Sequence, residues 1–241
     1  MPISRVQPTR RQFNRHVTVS FAALLTLAYT QAHALSLADL TDKDAGLGIK
    51  AALEKGAQAA VNLLAKPDGF MGNEKVRIGL PGYLNDAAKL LKRMGLGQKM
   101  DELVVSMNRA AESAIPLSKD LLVGAIQSMS LSDAKSILMG GDTSATTFFS
   151  TKTREPMAVR FLPAVTQATE KVGAAALYND VAGKAASLGV VNKENASVQQ
   201  YVTGKSLDGL FAMIAEEEKK LRQNPAAAGS ALLSKVFGAA R

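Results

Sequence analysis

Asp101, Asn108 and Glu112 stand in the stretch DELVVSMNRAAESAI at spacings of seven and four. On a helix, at 100° per residue, these spacings bring the three within about 40° of one another. They line the border of an apolar stripe made by Leu103, Val104, Met107, Ala111 and Ile115. Two carboxylates and an amide beside apolar surface, with Arg109 adjoining, can floor a ligand cleft or offer oxygen ligands to Ca²⁺ or Mg²⁺. The same residues also suit a buried, self-satisfied network in which Glu112 accepts from an arginine or a helix N-terminus. Geometry separates the two: an open cleft with a further acid marks a site, and a Glu112 enclosed by arginine or backbone donors marks a fastening.

Further polar groups occur in SDAKSILMGGDTSATTFF, which holds Asp133, Asp142 and Thr146. Its Gly140-Gly141 pair before a helix start resembles an anion nest. The stretch lacks the Gly-Lys-Ser/Thr ending of a phosphate loop, and Ser130 and Asp142 read first as helix caps. Tyr178, Asn179 and Tyr201 offer hydroxyl and amide groups to a pocket. EEEKKLR pairs Glu216 with Lys220 and Glu218 with Arg222 at i,i+4, the pattern of a solvated helix face. The candidate ligand-binding set is therefore Asp101, Asn108, Arg109, Glu112, Asp133, Asp142, Thr146, Tyr178 and Asn179. No catalytic residue and no metal ligand is assigned.

The elements that position these residues begin after a leader. Arg5, Arg10, Arg11 and Arg15 form a basic start without acids, followed by the apolar run VTVSFAALLTLAYT and an Ala32-His33-Ala34 cleavage motif. That order is a cleavable secretory signal over residues 1–34, too short to span a bilayer. Thr9-Arg10-Arg11-Gln12-Phe13 resembles a twin-arginine signal, with Arg10, Arg11 and Phe13 as its recognition residues, and no cysteine follows that could take a lipid. The expected location is the periplasm, reached through the export machinery, as a soluble protein and not a lipoprotein.

Of the 29 Lys and Arg, four lie in the leader, which leaves 25 against 21 acids and a net charge of +4 on residues 35–241. Spread along the chain, that charge is no footprint for nucleic acid. Both histidines, His16 and His33, also fall in the leader, and the chain has no Cys and no Trp. Disulfides, thiolate or imidazole metal sites and Ser-His-Asp or Cys-His catalysis are thereby removed from residues 35–241. Chemistry would have to run on carboxylates, Lys, Tyr, Ser or Thr, and no cofactor is expected.

Residues 35–241 are rich in Ala, Leu, Lys, Glu and Met, and show helical periodicity almost throughout. They predict a single all-α, bundle-like domain of about nine or ten helices, without a transmembrane span. DTSATTFFSTKT and REPMAVRFLPAVTQATEKVG read as two helices, with Pro156 in the first turn of the second and Pro163 as a kink. SVQQYVT and SLDGLFAMIAEEEKKLRQNP likewise read separately. Capping boxes stand at Thr41/Asp44, Ser130/Asp133 and Ser197/Gln200. The alternation of Val76, Ile78 and Leu80 predicts one short extended segment, and such a segment needs a partner.

With these segments in place, IGLPGYL, MNRAAESAIP, SLSDAKSILMGGDTSATTFF, FLPAVT, LYND and YVTGKSLDGLFAMIAEEEKKLRQNP resemble the exported bacterial family catalogued as domain of unknown function 4197. The likeness covers roughly residues 40 to 238 and implies an all-helical envelope protein, with no reaction attached. Two functions follow as expectations. One is a non-catalytic protein that binds a small apolar or amphipathic ligand, or an envelope protein. The alternative is a carboxylate-based hydrolase or hard-metal enzyme centred on Asp101, Asn108 and Glu112.

Overall fold

Ile49, Ala52, Leu53, Ala57, Ala60, Val61 and Leu64 recur at spacings of one, three and four, and in a computed structural model of the chain they form the buried face of helix α1, Asp42–Leu64. The structure describes residues 42–82, 84, 93, 95, 97–170, 175, 176, 178–180, 182, 187 and 197–224. The remaining helices are α2, Gly97–Ala114, a 3₁₀ turn at Ile115–Ser118, α3, Lys119–Gln127, α4, Leu131–Met139, α5, Ser144–Thr169, and α6, Val198–Gln223. Among the described residues the architecture is all-α, with six helices and no strand. The stretch expected to be a leader, residues 1–34, and the helices expected near 83–96, 174–188 and 230–238 lie wholly or largely outside them. No helix among the described residues is long and apolar enough to cross a membrane.

Helix α6 is the centre of the bundle. Val198, Val202, Leu207, Leu210, Phe211, Met213 and Ile214 are buried on several of its sides, and α1, α2 and α5 all pack against it. Helices α5 and α6 run antiparallel, since Ala145 and Thr146 meet Glu218 while Arg154 meets Asp208.

Two pairs of expected helices are single helices. Pro156 and Pro163 sit inside α5. Each removes one donor to the carbonyl four residues back, at Lys152 and Val159, which belong to exposed residues where water can take its place. The buried residues of α5 recur every fourth position, Ala145, Phe149, Thr153, Met157, Phe161, Val165 and Thr169, so both prolines stay off the packed face. Helix α6 similarly passes through Gly204 without interruption.

The connector after α1 is held by its neighbours. Asp68 takes a left-handed φ of 64° and turns the chain. At Gly69 a Cβ would stand 2.4 Å from the Leu64 carbonyl, so the turn admits only glycine. Phe70 is fully buried and its ring lies over Gly209 of α6. The predicted extended stretch follows, and its partner is a side chain rather than a strand, as described next.

Candidate functional site

Asn108 on α2 is fully buried and faces Ile78. Its Oδ1 accepts from the Ile78 N–H at 2.8 Å, and its Nδ2 donates to the Ile78 carbonyl at 2.8 Å and to Val104 O at 2.7 Å. A primary amide offers a donor and an acceptor side by side, as a backbone residue does, so Asn108 pairs with the extended segment as a neighbouring strand would. One turn on, Glu112 is 5% exposed. Its Oε1 accepts from the N–H groups of Phe70 and Met71 at 3.0 and 3.2 Å. Its Oε2 accepts from Arg109 at 2.7 Å, and Arg109 also donates to Asp68 at 2.7 Å. The Glu112 bond, and after it the Asp68 bond, raises the Arg109 pKa above its ordinary value. Arginine and backbone donors thus enclose Glu112, the geometry expected of a fastening.

Asp101 stands apart, two turns earlier and exposed. It borders an open depression of about 680 Å³ whose described lining is Gly97, Gln98, Asp101, Glu102, Val105 and Ser106, all on α2. No group of three or more acids among the described residues is placed to hold a metal ion.

The nest before α5 is filled by the chain itself. Thr143 is the N-cap and makes no side-chain cap bond. Glu218 of α6 supplies the anion instead. Its oxygens accept from Ala145 N at 3.0 Å, Thr146 N at 2.9 Å and Thr146 Oγ1 at 2.9 Å, where the α5 dipole favours negative charge. Arg222 donates to Glu218 at 2.8 Å, to Ser144 Oγ at 2.6 Å and to the Ile137 carbonyl at the end of α4 at 2.7 Å. The expected Glu218–Arg222 pair therefore exists, and it corrects the reading of a solvated face. The two side chains are 5% and 14% exposed and tie α4, α5 and α6 together. Lys220, by contrast, pairs with Glu217, which raises its pKa, and Glu216 meets Lys75.

The other candidates are spread over the bundle. Asp133 and Ser130 complete a capping box on α4, and the Ser130 hydroxyl, then its backbone N–H, lowers the Asp133 pKa. Asp142 is exposed in the turn before α5. Asn179 Oδ1 accepts from Val198 N at 2.8 Å and so caps α6 from outside, beside Ser197, which accepts from Gln200 N. Tyr178 is buried with its ring 6.0 Å from that of Tyr201, whose hydroxyl donates to Gly79 O.

A different place has the form of a binding site. Between α5 and α6 runs a groove of about 660 Å³. Ala158, Val159 and Leu162 line it from α5, and Tyr201, Gly204 and Leu207 from α6. Val159 is 74% exposed at its mouth. One end is closed by ions: Asp208 binds Arg154 at 2.6 Å and Lys205 at 3.5 Å. Thr203 lines the groove at 5% exposure, and its hydroxyl is the one buried side-chain polar atom among the described residues without a hydrogen-bond partner. A Cβ on Gly204 would meet nothing within 4 Å. Sequence reasoning missed Thr203 and Gly204. The available signal was a small polar residue and a glycine, adjacent, inside a long amphipathic helical pattern.

A family profile, Protein of unknown function (DUF4197), matches residues 39–238. No curated protein and no solved structure matches the chain. The matched stretch contains the six helices of the described residues, the fastenings at Asn108, Glu112 and Glu218, and the groove, and the chain belongs to the family of unknown function DUF4197.

Proposed function

We propose that residues 35–241 form a non-catalytic binding protein of the periplasm that holds an apolar or amphipathic ligand in the groove between α5 and α6. The observation that carries this reading is the groove's construction around Gly204. A glycine inside a helix costs about 1 kcal/mol relative to alanine. At 204 no neighbour requires the missing Cβ, so the space belongs to the groove. The volume lies in the range of small-molecule sites, and the lining joins apolar groups at Ala158, Val159, Leu162 and Leu207 to polar and charged ones at Glu155, Gln200, Lys205 and Asp208, which suits an amphipathic occupant.

Support for the carboxylate-enzyme alternative is weaker. The polar atoms of Asn108 and Glu112 are committed to the connector, and Asp101 stands about 10 Å along the helix from Asn108 at 1.5 Å per residue. Native mass spectrometry of protein purified from the periplasm, wild type beside Gly204→Leu, tests the proposal. The wild type is expected to carry a non-covalent companion mass that the variant lacks. A bare wild-type chain, or the same companion on both, contradicts it.

A further inference from the structure

We propose that the Asp68-Gly69 step is a site of spontaneous backbone isomerisation, and that Arg109 guards it. The reaction is intramolecular. The Gly69 amide nitrogen attacks Cγ of the Asp68 carboxyl group, and the carboxyl hydroxyl leaves with the amide proton as water. The succinimide ring so formed takes up one water again. Opening at one carbonyl restores aspartate, and opening at the other leaves isoaspartate, with the main chain running through the former side-chain methylene. The net composition is unchanged, and no oxidant or reductant takes part.

The chain contains two Asp-Gly steps, at 68–69 and 208–209. Glycine favours the reaction at both, because no Cβ shields its nitrogen or limits rotation of the backbone. Their settings differ. Asp208-Gly209 lies inside α6, where the helical ladder fixes the backbone and Gly209 is pressed against Phe70. Asp68 stands in a turn outside any helix, at a left-handed φ of 64° and with its side chain 63% exposed, so water can reach it.

Two restraints oppose the reaction there. The Gly69 N–H donates to the Lys66 carbonyl at 2.9 Å, and the carbonyls of Leu63 and Leu64 crowd the glycine from the other side. Arg109 donates to Asp68 Oδ1 at 2.7 Å and so holds the carboxylate, which must rotate free to meet the nitrogen. Arg109 is fixed in turn by Glu112, the residue that also receives the Phe70 and Met71 N–H groups. Isomerisation would lengthen the main chain directly before Phe70. It would therefore pull on the two amides that Glu112 holds and on the ring seated over Gly209.

Peptide mapping by fragmentation mass spectrometry, which tells isoaspartate from aspartate, tests this on purified protein aged at mildly acidic pH. In the wild type, Asp68 is expected to isomerise faster than Asp208. In Arg109→Gln the rate at Asp68 should rise by up to about 5-fold, the upper worth of one exposed ion pair, while Asp208 keeps its rate. Raised ionic strength weakens the same pair without any substitution, and should also speed Asp68 alone. An unchanged rate at Asp68 under either perturbation, or equal rates at 68 and 208 in the native protein, overturns the proposal. A matching rise at Asp208 would assign the effect to loss of the fold and overturns the guard. The isomerised fraction, separated by chromatography, should exchange its Phe70 and Met71 amides faster than the unmodified chain. Equal protection overturns the link to the connector.

Discussion

Two glycines five residues apart in α6 should respond to the same substitution with opposite signs. At Gly204 an added Cβ meets nothing within 4 Å, and the backbone is ordinary helix. Gly204→Ala therefore gains helix propensity and loses no contact, a stabilisation of about 0.5–1 kcal/mol. At Gly209 the same Cβ would lie 2.7 Å from Phe70 Cε1, 3.2 Å from Cζ and 3.3 Å from Val76 Cβ. Phe70 is fully enclosed and cannot swing aside, so overpacking takes the upper part of its range of about 1–3 kcal/mol. Propensity offsets about 1 kcal/mol of that, leaving Gly209→Ala destabilised by about 1–2 kcal/mol. For a chain of this size, 1 kcal/mol moves the melting temperature by about 2–4 °C. Thermal and urea denaturation of the two variants should diverge from the wild type in opposite directions. Shifts of the same sign would refute the packing argument, and with it the claim that Gly204 leaves space rather than fills a need.

Four further outcomes follow from the same contacts. Asn108→Leu leaves the Ile78 N–H and C=O unpaired in a fully buried site and should cost about 2–4 kcal/mol, with fast hydrogen exchange at the Ile78 amide as its local signature. Glu218→Ala strips the start of α5 and isolates Arg222; a loss of about 3–5 kcal/mol is expected, and a double-mutant cycle with Arg222→Ala should show strong coupling. The Asp133 carboxylate is held below its ordinary pKa by Ser130, so its capping contribution is present above the ordinary value and lost as pH falls through the lowered one; an NMR titration should show this midpoint, and Ser130→Ala should raise it. Changing Arg10 and Arg11 to Lys should abolish export, scored by cell fractionation, and unimpaired export would contradict a twin-arginine route.

The all-α class was legible because local periodicity and caps carry it: Ser130/Asp133 form the capping box read from the sequence, and at Ser197/Gln200 the Ser197 half of the expected box is made, its side chain accepting from the Gln200 N–H. Helix ends were less legible. Proline and glycine speak for breaks in isolation, yet Pro156 stands off the packed face of α5 where water can reach the freed carbonyl, and the packing of α6 outweighs the propensity cost of Gly204, both tertiary circumstances. The odd placement of Asn108 and Glu112 beside an apolar stripe was visible, while their partners at Ile78, Phe70 and Met71 lie 30 to 42 residues away. Glu218 shows the same limit: its i,i+4 pair with Arg222 looks like surface until α5 is laid on top of it. The groove was hidden, because it belongs to the pairing of α5 with α6 and to neither sequence alone.

The central claim is that the groove, and not the exposed face of α2 around Asp101, receives the ligand. Methyl-resolved NMR of isotope-labelled protein, titrated with an organic extract of the cells that produce it, tests it most directly. Shifts confined to the methyl groups of Ala158, Val159, Leu162, Thr203 and Leu207 are the predicted result. Shifts centred on Val105 beside Asp101, with the groove methyls unmoved, would contradict it.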